Sequence, residues 1–222
     1  MTIRSDDHDL APPPDPDQLT NFPRRTLAKG RLIYRLHHKG LSPFWFGSTP
    51  ADAGGGDRFD LAPPRGSSYW AMSPVVAVLE TLVRRPITMI PTEQLQRYSF
   101  TSVALPRRLS DVANLPVKPA RRFGLTAEIH ATTDRGLTRL WARALDRAGC
   151  PGVIALPRHD VTGRQRSLTL FGVAGEHEPW GWRWKPTIGP LPSAVASELA
   201  GWGIRVVPIP FDVETITPVA GK

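Results

Sequence analysis

One cysteine stands among the 222 residues, Cys150. A lone thiol excludes an intrachain disulfide framework and suits a reducing cytoplasm. Its setting, RAGCPG, reads as a helix-to-strand turn rather than a nucleophile's seat. No run reaches the ~18 consecutive apolar residues of a membrane helix, so no membrane role is expected. The first stretch, MTIRSDDHDLAPPPDPDQLTN, has no apolar segment of the secretory kind. It reads as a disordered leader over residues 1–27. Common catalytic signatures are missing too: there is no GxSxG, no HExxH and no pair of CxxC. GGGDR (54–58) lacks the GK[ST] ending of a phosphate loop. The six histidines show no metal-ligand spacing, and His37 and His38 would face opposite sides of a strand, so no metal is expected. A net charge of +8 invites a nucleic-acid reading, but the basic residues are scattered and no helix-turn-helix, zinc finger or RNP pattern accompanies them. Nucleic acid is therefore not expected as a partner. An anionic ligand or an acidic protein fits the charge better.

At 41% hydrophobic, the chain can bury a real core, and its 24 prolines punctuate it into short elements. RLIYRLHH (31–38) alternates as a strand does, and a long loop follows over 39–57. SSYWA reads as a short strand. Ser73-Pro74 then opens a helix, with serine as N-cap and proline at the first position, running to about Arg85. RYSFTSVALP (97–106) is a strand, and LPRRLSDVANLP a connection or helical turn. Residues 132–149 make the clearest amphipathic helix. Leu137, Leu140, Trp141, Ala144 and Leu145 share its apolar face, Arg139 and Arg143 lie elsewhere, and Gly149 caps it. GVIAL and RSLTLFGV are strands around a polar turn. The tail holds a tryptophan-rich loop, a helix near 192–201 and a last strand, IRVVPIP. Strands and helices mix without a βαβ rhythm, so the class is α+β.

Four residues stand out: Arg35, Arg58, Tyr69 and Glu80. Singly they read as two surface charges, a core aromatic and the wet edge of a helix. Glu80, however, stands among Val75, Val76, Val78, Leu79 and Leu82, where a buried carboxylate is costly without a partner or a use. Together the four suggest a dinucleotide site. Arginine forks bind phosphate, a tyrosine ring packs on a flat heterocycle, and a carboxylate holds a sugar hydroxyl and supports an oxocarbenium-like centre.

The order Tyr34-Arg35, long loop, GGDRF (55–59), YWA (69–71) and AVLE (77–80) resembles the RES domain, the toxin half of Xre–RES toxin–antitoxin modules. The resemblance runs from about Gly30 to Val173 and is strongest between Arg35 and Glu80. It implies one catalytic domain over 28–175, on which the tail 176–222 packs. The implied fold is a mixed sheet with flanking helices, related to ADP-ribosyltransferases. It further implies a cytoplasmic type II toxin that takes NAD as substrate and cleaves the nicotinamide–ribose bond, with water or phosphate as acceptor. Arg35 and Arg58 would hold the pyrophosphate, Tyr69 would pack on the nicotinamide end, and Glu80 would bind the ribose and support the developing cation. Glu80 and Arg35 are thus the catalytic candidates. The implied protein partner is an Xre-type antitoxin, in a complex with room for a homo-oligomer of the toxin.

One departure matters. Where the family pattern has its serine, this chain has Pro157, which carries neither hydroxyl nor N–H. Ser167 or His159 would have to substitute. Transfer of ADP-ribose to a protein, or silent NAD binding, are the alternatives this leaves. In the tail, Trp180, Trp182 and Trp184 recur at period two. That spacing gives an extended segment one aromatic face, as a lid on the core or a patch for a partner.

Overall fold

A computed structural model describes residues 10–83 and 87–208. Strands β1 (Arg24–Leu27), β2 (Leu32–His38), β3 (Trp45–Phe46) and β4 (Arg65–Ala71) lead to helix α1 (Pro74–Leu82). Then come β5 (Met89–Pro91), α2 (Thr92–Leu95), β6 (Tyr98–Ala104), β7 (Leu109–Asn114), α3 (Glu128–Ala131) and α4 (Arg135–Arg147). β8 (Gly152–Ala155), β9 (Ser167–Val173), β10 (Gly175–Glu176), β11 (Thr187–Gly189), α5 (Ser193–Gly201) and β12 (Arg205–Val207) complete the order. The main sheet runs β1-β7-β8-β9-β4-β2-β6-β11. Only β7 and β8 pair parallel within it; the other pairs are antiparallel. This is an α+β fold in one domain, with a mixed sheet and flanking helices, as the sequence implies.

Two apolar layers flank the strands that matter for the site. On one side Trp141 and Leu145 of α4 pack with Phe59, Phe171 and Val153. On the other, α1 buries Val75, Val76, Val78 and Leu79 against Leu36, Phe100 and Leu199 of α5. Burying a side chain of this size is worth about 1.5–3 kcal/mol, which fixes α1 against the sheet. Ser73 is the N-cap residue of α1 as expected, with proline in the first turn. Its hydroxyl, however, donates to Gln165 Oε1 at 2.8 Å instead of capping the helix. The expected end of this helix at Arg85 lies outside the described residues, as does the end of IRVVPIP.

The structure corrects five expectations. The leader is not disordered from residue 10 onward. Leu10, Leu19 and Phe22 are buried, Trp141 donates its indole N–H to the Ala11 carbonyl at 2.9 Å, and β1 pairs with β7. Three apolar anchors outweigh the prolines and acids between them. Secondly, SDVAN belongs to a strand, β7, and not to a connection. Asp111 sits there at φ 63°, and the register with β1 shifts, so the bulge breaks the alternation a strand normally shows. Thirdly, Leu140 is 42% exposed on α4 while Arg139 is buried. Arg139 donates to the carbonyls of Ala53 and Gly55 at 2.5 and 2.8 Å and so ties the glycine-rich loop to the helix. Fourthly, the loop over 39–57 contains β3, which pairs with β10. Lastly, the tryptophans do not line one face of an extended segment. Trp180 is at φ 57° inside a 3₁₀ turn, Pro179–Gly181. Trp184 is buried against Phe44 and stacks with Trp182, while Trp180 stays 37% exposed. The tail joins the same domain: β11 extends the sheet beside β6, and α5 packs on α1. Among the described residues no helix is long and apolar enough to cross a membrane.

Candidate active site

β2, β4 and α1 meet around one cavity of about 360 Å³. Arg35, Arg58, Tyr69 and Glu80 all line it, so the structure brings the four residues singled out from the sequence to one place. β2 supplies Arg35 and β4 supplies Tyr69. Arg58 comes from the glycine-rich loop and Glu80 from the last turn of α1.

Each of the four is held. Arg35 Nη1 donates to the Pro43 carbonyl at 2.5 Å, the Trp45 carbonyl at 3.1 Å and Ser68 Oγ at 2.6 Å. Burial pulls its guanidinium down to about 10, with Tyr69 acting in the opposite sense, so it stays a cation at neutral pH. Arg58 is buried and donates to the carbonyls of His130 and, at 3.1 Å, Leu156. Its Nη2 lies 3.5 Å from Glu80 Oε2. Burial lowers the Arg58 pKa, and Glu80 is the chief influence opposing that. The other carboxylate oxygen, Glu80 Oε1, accepts the backbone N–H of Arg158 at 3.0 Å. The acid on the apolar helix thus has both a cation and an amide, while its side chain keeps 28% of its surface open.

Tyr69 is fixed at its hydroxyl. It donates to Asp60 Oδ1 at 2.7 Å and accepts from the Phe59 N–H at 3.0 Å. Asp60 in turn accepts from the Thr49 hydroxyl and the Asp57 N–H at 2.6 and 2.7 Å. This buried carboxylate ties the arginine-bearing loop to β4. Burial first, then the Asp60 and Asp57 carboxylates, push the Tyr69 phenol well above its usual 10. The folded state therefore holds that proton more tightly than the unfolded chain does. The stability this brings is complete below the unfolded pKa near 10 and is lost as pH rises beyond it. The melting temperature is expected to drop more steeply above pH 10 in the native protein than in Tyr69→Phe. Equal alkaline slopes would contradict this assignment.

The site also holds residues that the sequence reading did not single out. Arg135 at the start of α4 and Arg158 after β8 line the cavity, with Asp57 beside them. Burial and then Arg158 lower the Arg135 pKa. Four guanidiniums against two carboxylates, Asp57 and Glu80, make the cavity an anion site with an acidic spot. His159 and Ser167 both line it as well. Burial lowers the His159 pKa against the pull of Glu80, which keeps the imidazole neutral at pH 7. Ser167, on β9, brings a side-chain hydroxyl to the cavity wall. Ala155 faces Ser167 across β8 and β9, and Ser167 Oγ donates to the Ala155 carbonyl at 3.3 Å. Among the described residues no three His, Cys, Asp or Glu side chains gather as metal ligands.

The family model of the RES domain matches residues 32–185. This chain belongs to the RES domain family. The match runs from β2 through the 3₁₀ turn Pro179–Gly181 to just beyond Trp184, and so includes every residue of the cavity described above. Among solved structures, this RES domain has the fold seen in the crystal structure of the M. tuberculosis MbcT–MbcA toxin–antitoxin complex. The TM-score is 0.54 at 16% sequence identity, over 79% of this chain and 92% of that one. No curated protein matches the chain.

Proposed function

We propose that this RES domain is the toxin of a type II toxin–antitoxin module and cleaves NAD at the nicotinamide–ribose bond. The observation that carries the reading is the convergence of Arg35, Arg58, Tyr69 and Glu80 on one cavity. The guanidiniums suit a pyrophosphate, which two-pronged donors bind well. Glu80 suits a centre that becomes positive. As the C1′–N bond breaks, its electron pair passes to the pyridinium ring, and nicotinamide leaves neutral. The ribose then carries oxocarbenium character, which a fixed carboxylate in a sheltered cavity stabilises. Water adds to C1′ and gives up a proton, for which the neutral imidazole of His159 on the cavity wall is the acceptor in this reading. Inorganic phosphate in place of water would give a 1-phosphate of ADP-ribose. The proposed protein partner is an antitoxin of the Xre type. The fold shared with a protein crystallised in a toxin–antitoxin complex favours a protein partner, and the net charge of +8 favours an acidic one.

The test is direct. Purified protein with NAD is expected to release free nicotinamide within minutes, with ADP-ribose or its 1-phosphate as the second product. Folded protein that leaves NAD intact for hours would overturn the reading. ADP-ribose recovered on a protein rather than free would replace hydrolysis by transfer.

A further inference from the structure

A second cavity, of about 570 Å³, adjoins the first. Arg35, Leu36, Asp57 and Thr81 line both. The two are therefore lobes of one cleft, with a guanidinium at the waist. Their chemistry differs. The first lobe carries the arginines and Glu80. The second is lined by Ser42, Trp45, Gln94, Tyr98, His37 and His38. It offers flat rings and polar side chains, with charge only at the shared Arg35 and Asp57. Tyr98 and His38 stack with centroids 4.4 Å apart, and the Trp45 indole is 45% exposed. Gln94, half-buried on α2, carries an amide that both donates and accepts. His37 is already engaged with Thr101 at 2.8 Å.

We propose that this second lobe takes the adenine nucleotide half of the substrate and so makes the enzyme selective for a dinucleotide. The inference rests on the NAD reading of the first lobe and extends it. A dinucleotide is two nucleosides joined by a pyrophosphate, and the cleft has two lobes joined at Arg35. Exposed aromatic faces stack on any base. A glutamine amide meets the paired acceptor and donor on the edge of adenine. The volume lies within the range of roughly 300–1,000 Å³ common to small-molecule sites. Arg35 also couples the lobes directly, because its Nη1 holds the carbonyl of Trp45.

Calorimetric titration with AMP tests the lobe without any reaction. AMP is expected to bind the wild-type protein, and Trp45→Ala and Gln94→Ala are each expected to weaken it at least tenfold. In parallel, the ratio of kcat/KM for NAD over that for nicotinamide mononucleotide should fall at least tenfold in both variants. Two substitutions on separate elements guard against a folding defect in either. No AMP binding to wild type, or undiminished binding to both variants, would overturn the proposal. Failure to release nicotinamide from either compound would instead strike the NAD reading, and the AMP titration would still decide the lobe.

Discussion

Glu80→Gln is expected to slow nicotinamide release from NAD by about 10²–10³-fold, the cost of removing one preorganised electrostatic contact to the transition state. The loss should fall on kcat more than on KM, because the positive charge at the ribose develops only as the bond breaks. Glutamine is the informative replacement. Its amide oxygen still accepts the Arg158 N–H that Glu80 Oε1 takes at 3.0 Å, so the end of α1 and the loop after β8 keep their tie. Only the charge goes. The ion pair lost with it spans 3.5 Å and joins a buried Arg58 to a Glu80 that is 28% open; because Arg58 keeps its acceptors at His130 and Leu156, the loss to stability is about 1 kcal/mol. At this chain length that is a melting shift of roughly 2–4 °C. A slow but folded variant supports Glu80 as the group facing the developing cation. Release at the wild-type rate from Glu80→Gln would remove it from the chemistry.

The site was more legible in the sequence than the scaffold around it. Arg35, Arg58, Tyr69 and Glu80 carry their chemistry in their side chains, and a carboxylate within an apolar helix asks for a reason. Arg158 carries no such mark. It serves Glu80 through a backbone N–H that almost any residue could supply, so residue type reveals nothing. Arg135 reads as an ordinary solvated charge at a helix start until α4 is placed beside the cavity. Ser167, one of the two stand-ins the sequence offers for the missing serine, lies ten residues beyond Pro157, and the pairing of β8 with β9 places it on the cavity wall. The helix period of α4 gave the right phase for Trp141 and Leu145 but misplaced Leu140 and Arg139. Periodicity assigns every charge to water, and it cannot foresee a buried arginine satisfied by two loop carbonyls. The leader failed for a related reason. Composition averages over residues, whereas Leu10, Leu19 and Phe22 act one by one as anchors.

Arg58→Ala should be the most damaging single change to the fold of the site. Arg58 joins three elements: it donates to the His130 carbonyl near the end of α3, to the Leu156 carbonyl after β8, and faces Glu80 on α1. Removing it strands two carbonyls and leaves Glu80 without its cation. Breaking a buried, charge-assisted arrangement from one side costs about 3–5 kcal/mol, so a fall in melting temperature of roughly 6–20 °C is expected. Lysine should not rescue it. A single ammonium cannot span both carbonyls and the carboxylate in the geometry of a planar fork. His130 offers a second readout. Burial, then the nearby Arg58 charge, holds its imidazole down to about 3. Taking away that charge removes one of the influences lowering the pKa, so in Arg58→Lys, which keeps a cation, His130 should titrate close to the native value. In Arg58→Ala it should titrate higher. Arg58→Lys and Arg58→Ala would then separate what the charge does from what the fork does: both lose stability, but only the alanine variant moves the histidine. A lysine variant as stable as the native protein would show that charge alone suffices at this junction.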